Sequence, residues 1–298
     1  TQYSRPDLFN MKVQTNKPST QSILVTGCSS GIGLRCAEIL KARGWRVFAS
    51  ARKQADVEQL RADGFESVLL DLDHSDSIIT AIETILEMTG GQLDALFNNA
   101  AYGQPGAVED LTRETLRRQF ETNLFGTTEL INKVIPVMRK QGHGRIVQNS
   151  SVLGFVVMPY RGAYNASKFA LEGLTDTLRL ELQGTNIHLS LIQPGPIESK
   201  FRSNAYQAFK KNIDPTHSVH HSNYEAMEQR LKKPGPAAPF TLSADAVATK
   251  LIHALEHPHP KVRYPVTFPT YLFAILKRLL PDHWLDKILI KASGEGKR

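Results

Sequence analysis

The chain has 298 residues, 41% of them hydrophobic, and a formal net charge of +7, which suits a globular protein with a sizeable core. Its two cysteines, Cys28 and Cys36, lie eight residues apart, which excludes a disulfide framework or a zinc site and suits a reducing, cytoplasmic setting. The basic excess lacks aromatic interleaving or a helix-turn-helix pattern, so nucleic acid is not an expected partner, and no run nears the ~20 apolar residues of a membrane span.

Residues 1–20 are polar, carry Pro6 and Pro18 and lack an apolar core of signal-peptide length; they are expected to form a flexible arm. Ile23-Leu24-Val25 is an apolar, β-branched run and predicts a buried strand. Thr26 to Gly33 turns the chain with three glycines spaced Gly-x-x-x-Gly-x-Gly, and Leu34, Ala37 and Leu40 continue at helical spacing. In such a strand–turn–helix, glycines allow a tight turn and close backbone approach. The helix N-terminus offers free N–H groups to a pyrophosphate.

Further on, Trp45–Ser50, Ser67–Leu70, Leu93–Phe97, Arg145–Asn149, Ile187–Ile192 and Val262–Tyr264 predict strands. Gln54–Ala62, Asp76–Met88, Thr112–Arg139, Ala163–Leu182 and Ser243–Glu256 predict helices, the third with an awkward centre at Asn123–Gly126 and the last capped by Ser243. Strictly alternating strands and helices point to α/β architecture: a doubly wound seven-stranded parallel sheet of Rossmann type in one domain over 21–265. Residues 199–241, polar and dotted with prolines, are too long for a bare loop and are expected to fold as a helical lid. The extension 266–298 is basic, with two amphipathic helices split at Pro281. Within it, 269–291 leaves three roles open: closing the site, joining subunits, or peripheral contact with an anionic membrane.

In doubly wound sheets, ligands bind beyond the carboxyl ends of the strands. The polar pairs Thr26-Gly27, Asn98-Asn99, Ser150-Ser151 and Pro194-Gly195 all fall at such ends. Tyr164 and Lys168 share one helix face. An unperturbed phenol, with a pKa of about 10, is too weak an acid for efficient proton transfer near neutrality, and a neighbouring ammonium is expected to lower it. Ser151 could hold the same substrate oxygen. After the second strand, the carboxylate that would accept from a ribose 2′-OH is replaced by Ala51, and Arg52 can pair with a 2′-phosphate; NADP(H) is therefore the expected cofactor, and no metal is expected. Val152, Leu153, Phe155, Val156, Val157 and Met158 predict an apolar wall beside Ser151. Tyr206, Phe209, Tyr224, Met227 and Leu231 are expected to pack under the lid.

From Ser22 to Tyr264 the chain resembles the short-chain dehydrogenase/reductase family. YNASKFALEGL (Tyr164 to Leu174) and QPGPIESKF (Gln193 to Phe201) are similar to its 17β-hydroxysteroid dehydrogenase, retinol dehydrogenase and bacterial NADP-dependent aldehyde reductase branch. The resemblance implies Tyr164 as general acid/base, Ser151 as holder of the substrate oxygen, Lys168 on the nicotinamide ribose, and Asn123 as the residue that kinks its helix and holds a relay water. It implies that Gly27, Ser29, Ser30, Gly31, Ile32, Gly33, Asn99, Ala100, Pro194, Gly195, Ile197 and Ser199 line the cofactor, with Asp71 and Leu72 flanking adenine. Two departures stand out. Ala101 replaces a usual glycine, and Ser199 a commoner threonine. The expected activity is hydride transfer between NADP(H) and a hydrophobic aldehyde, retinoid or steroid in a homo-oligomer, dimer or tetramer. A regulatory NADP sensor without turnover is the alternative. Nucleotide-sugar epimerase or dehydratase chemistry is disfavoured by the glycine spacing and the short region after the last strand.

Overall fold

The computed structural model describes residues 20–232, 235 and 238–294; the expected arm, except Thr20, lies outside them. In chain order the elements are β1 (Ser22–Val25), α1 (Gly31–Ala42), β2 (Arg46–Ala51), α2 (Gln54–Ala62), β3 (Glu66–Leu69), α3 (Ser75–Thr89), β4 (Ala95–Asn98), α4 (Arg113–Phe120), α5 (Thr127–Gln141), β5 (Gly144–Asn149), α6 (Gly162–Glu181), β6 (Ile187–Gln193), α7 (Phe201–Asn212), α8 (His221–Lys232), α9 (Asp245–Glu256), β7 (Arg263–Pro265), α10 (Phe268–Leu279) and α11 (Asp282–Ala292). The seven strands form one sheet in the order β3-β2-β1-β4-β5-β6-β7, and every pairing is parallel.

The strands show no polar face because both faces are covered. Ile23, Val25, Ala49, Phe97 and Val147 pack against α1, α2 and α9. Leu24, Phe48, Leu96 and Ile146 point the other way, onto α3 and α5. Fully burying one such side chain contributes about 1.5–3 kcal/mol, so the alternation determines which strand residue serves which layer. Cys28 and Cys36 lie inside the first layer. Burial pushes the Cys28 thiol up to about 12 and raises Cys36 as well, so both are packing groups.

The single helix expected over Thr112–Arg139 is interrupted. Thr112 caps α4 by accepting from the Thr115 N–H at 3.1 Å, and a π turn over Glu121–Gly126 separates α4 from α5. One wide turn lets the polar Asn123 point inward without ending the helix, as π turns do at functional positions. Ser243 does not cap α9. Its hydroxyl faces Asp245 Oδ2 at 3.5 Å, and the helix begins after Ala244 without a side-chain cap.

Candidate active site

Strand order reverses between β1 and β4. The helices leaving these two strands fall on opposite faces of the sheet, opening a crevice at their carboxyl ends. The register pairs Val25 with Phe97, Asn98 with Gln148, and Asn149 with Ile192, so the residues just beyond β1, β4, β5 and β6 stand in a row. They line a cavity of about 1330 Å³, together with Arg52, Asp71, Leu72, Tyr164, Lys168, Pro194, Gly195, Ile197 and Ser199. Of the expected site residues, only Gly33 and Asn123 are not on its wall.

The β1–α1 turn is tied to β4 by side chains. Thr26 Oγ1 accepts from the backbone N–H groups of Asn99 and Ala100, each at 2.9 Å. Asn99 Nδ2 donates to Thr26 O, and Asn149 Nδ2 donates to Asn99 Oδ1, both at 2.9 Å. A Cβ on Gly33 would stand 2.3 Å from Gly27 O and 2.6 Å from Asn99 Nδ2, so only glycine lets α1 approach the turn. Gly31 opens α1 at φ +62°. The first turn of α1 has no acidic residue, and Ser30 makes no side-chain cap, so its N–H groups face the cavity available to an anion. Ala51, the last residue of β2, is buried, and Arg52 just beyond it is exposed on the cavity wall. These features fit a dinucleotide: a cradle that a Cβ would fill, unpaired helix N–H groups at its floor, and a cation where β2 ends. Ala101 does not have positive φ, since among the described non-glycine residues only Tyr160 and Phe240 do; the alanine is accommodated without strain. Ser199 Oγ accepts from the Phe201 N–H at 3.3 Å, at the start of α7.

Across the cavity, Ser151 follows β5 and Tyr164 opens α6. The Ser151 hydroxyl and the Arg161 charge both favour the phenolate of Tyr164, but burial outweighs them and pushes the phenol up to about 12. The Lys168 ammonium lies 5.8 Å from the Tyr164 ring centre and donates to Asn149 O at 2.7 Å. In this state the cation acting on the phenol is Arg161, rather than Lys168 as expected. Lys168 is 3% exposed, and burial brings its ammonium down to about 8, against the raising field of Glu172. Asn123 is committed within the protein: Nδ2 donates to Tyr102 O at 3.0 Å and to Ser167 Oγ at 3.1 Å, and Oδ1 accepts from the Tyr102 N–H at 3.2 Å.

Sequence reasoning missed Glu172. It is 6% exposed and one turn beyond Lys168. Its Oε1 accepts from Ser150 Oγ at 2.7 Å and Gln193 Nε2 at 2.8 Å, and its Oε2 pairs with Arg263 Nε at 3.1 Å. The ends of β5 and β6, together with β7, are thereby clamped to the helix that carries Tyr164 and Lys168. The only local signal was the i, i+4 spacing from Lys168 to Glu172. Thr26, read from the sequence as half of a polar pair at a strand end, and Asn149, read only as the end of a predicted strand, are likewise structural supports of the site.

The lid region folds as α7 and α8. Phe209, Tyr224, Met227 and Leu231 pack with Ala107, Leu111 and Ala163, and Tyr206 borders them. Tyr224 Oη donates to Asp110 Oδ2 and accepts from the Ala107 N–H. Phe201 sets its ring edge-on to Tyr164, with centroids 5.3 Å apart. Val152, Leu153 and Met158 line the cavity. Phe155 and Val156 instead pack against α10 and α11, with Phe273, Leu285 and Leu289, and Val157 faces solvent. Phe268, Leu272 and Phe273 of α10 reach the cavity as well.

The short chain dehydrogenase family profile matches residues 21–209. The chain is 42% identical over 278 residues to the uncharacterized oxidoreductase YbbO of Escherichia coli K12, covering 93% of this chain and 97% of that protein. It is 31% identical over 276 residues to the NADPH-dependent 3-dehydrocapnine reductase of Ornithobacterium rhinotracheale, covering 90% and 95%. It is 32% identical over 275 residues to human 17-beta-hydroxysteroid dehydrogenase type 1, covering 87% and 80%.

Proposed function

Since the chain belongs to the short-chain dehydrogenase family of NAD(P)-binding oxidoreductases acting on CH–OH groups, we propose that it interconverts a hydrophobic carbonyl compound and its alcohol with NADP(H). The convergence of Ser151, Tyr164 and Lys168 on the cavity that also holds the glycine turn carries this proposal. Arg52, where a carboxylate would select NAD, supports the 2′-phosphate, and one relative is named as NADPH-dependent. When bound, the reduced nicotinamide supplies hydride. The chain's own part is proton handling. Ser151 holds the substrate oxygen, and Tyr164 gives that oxygen its proton. Lys168 holds the ribose and, once its charge faces Tyr164, stabilises the phenolate left behind. Asn123 keeps α4, the Tyr102 loop and α6 in register for the proton relay. Residues 21–265 would form the catalytic unit, with 199–241 as its lid. Nothing favours the regulatory alternative, and a sensor has no use for an aligned proton donor.

The test is NADPH oxidation over a panel of hydrophobic aldehydes, retinal and ketosteroids. Tyr164→Phe should lose about 10²–10⁴ in kcat while still binding NADPH; near-normal turnover would end the proposal. Wild type should prefer NADPH, and Ala51→Asp with Arg52→Ala should reverse the preference. A wild type preferring NADH defeats the cofactor assignment.

We further propose that α10 and α11 rest on an anionic bilayer. Phe268, Tyr271, Leu272, Ile275 and Leu279 repeat at helical spacing yet face solvent, from 38% exposed at Leu272 to 73% at Leu279. The stripe begins at the cavity, and Arg278, Lys287 and Lys291 lie along the two helices. Among the described residues, no helix is long and apolar enough to cross a membrane. The protein should pellet with phosphatidylserine vesicles, and Ile275→Glu with Leu279→Glu should abolish pelleting; a wild type that stays in the supernatant defeats the idea. The buried thiols support a cytoplasmic setting, and light scattering would test the homo-oligomer.

A further inference from the structure

The substrate side of the cavity carries a group of arginines. Arg161, Arg202 and Arg230 all line it. They stand close enough that Arg161 and Arg202 both weaken Arg230's hold on its proton. The group lies near the reacting phenol: Arg161 acts on Tyr164 directly, and Arg202 follows Phe201, whose ring touches Tyr164. Arg202 donates to Gly235 O at 2.7 Å, an acceptor that carries no charge. Arg230 Nε is buried without a hydrogen-bond partner.

Among the described residues, no carboxylate lies within 4.0 Å of Arg202 or Arg230. The acidic residues of α8 are engaged elsewhere. Glu228 takes Lys232 at 2.7 Å and Tyr206 at 2.9 Å, and Glu225 faces His221. Withdrawing a guanidinium from water without a counter-charge is costly, and packing alone would be served better by a neutral side chain. Burial and the two neighbouring arginines bring Arg230 down to about 9, still charged at neutral pH. An arriving anion would relieve that cost. The cofactor's phosphates do not account for these residues, because the unpaired N–H groups of α1 and Arg52 already face that ligand elsewhere on the wall. Val152, Leu153, Leu272 and Phe273 line the same cavity, so it offers an apolar surface together with a cationic group.

We propose that Arg202 and Arg230 bind the oxyanion head of an amphiphilic carbonyl substrate, a carboxylate, sulfonate or phosphate, whose hydrocarbon chain lies on the apolar wall. This deepens the reductase reading and rests on its assignment of the substrate cavity. Guanidinium recognises oxyanions through paired, charge-assisted hydrogen bonds, so each arginine should contribute about tenfold or more in affinity.

Two measurements on the full-length protein separate the ideas. Calorimetric titration compares decane-1-sulfonate and decanoate with 1-decanol, in wild type, Arg230→Met and Arg202→Gln. The anions should bind at least about tenfold more tightly than the alcohol, and each variant should lower that ratio by about tenfold. The second variant keeps the test alive should the first not fold. Equal affinity for anion and alcohol, or a loss shared equally by both, overturns the proposal. Steady-state kinetics then compares 3-oxodecanoate with its methyl ester. The kcat/KM ratio should favour the anion in wild type and fall in Arg230→Met through KM; a ratio unmoved by the substitution also overturns it. Because the titration needs no turnover, failure to reduce any carbonyl would count against the reductase reading alone.

Discussion

Lys168→Met should make the ligand-free protein more stable and inactive. The ammonium is almost wholly buried, and its fall from 10.5 to about 8 is dominated by burial. At about 1.4 kcal/mol per pH unit, the charged side chain costs the ligand-free fold about 3 kcal/mol. Methionine keeps most of the volume and removes that cost. It also removes the hydrogen bond to Asn149 O, worth about 1.5–3 kcal/mol for a charged donor. The balance is a gain of about 1 kcal/mol, or about 2 °C in Tm for a domain of this size. The sign follows from linkage. A folded-state value below the unfolded one means that the unfolded chain binds more protons between about pH 8 and 10.5. Wild-type stability should therefore rise with pH through that window, and the advantage of Lys168→Met should shrink. Circular dichroism melts of both proteins at pH 7 and pH 10, without cofactor, read this directly. A variant that melts below wild type at pH 7, or a difference unaffected by pH, would refute the reasoning.

Other expectations follow from the same geometry. With the Tyr164 phenol near 12, the proton for carbonyl reduction is in place at neutral pH. Alcohol oxidation, which needs the phenolate, should climb steadily from pH 7 to 10, whereas a flat profile from a step limited by chemistry would contradict the assignment. Gly33→Ala would place a methyl 2.3 Å from Gly27 O; urea titration should show a loss of about 1–3 kcal/mol, accompanied by weaker NADPH binding. Tyr224→Phe leaves Asp110 Oδ2 and the Ala107 N–H without their shared hydroxyl. It should cost about 1–3 kcal/mol and raise hydrogen exchange in α8 more than in the sheet.

Much of this molecule is local and was therefore legible before any tertiary contact was known. Parallel strands buried on both faces need unbroken apolar runs, so their number and order of appearance could be read directly. A cofactor turn depends on backbone geometry that few residues besides glycine adopt, and Tyr164 and Lys168 lie on one face by the pitch of a helix alone. Tertiary structure decided the rest, because burial and counter-charges come from residues far apart in the chain. Arg263 reaches Glu172 across 91 positions, a relation no spacing rule contains. Periodicity made α10 amphipathic but could not say that Phe268, Ile275 and Leu279 face outward. Lys168 was read as the partner of Tyr164, whereas nothing in the sequence marked the charge on Arg230. Only the fold buried the Lys168 side chain and the Nε of Arg230 and, among the described residues, left Arg230 without a carboxylate partner.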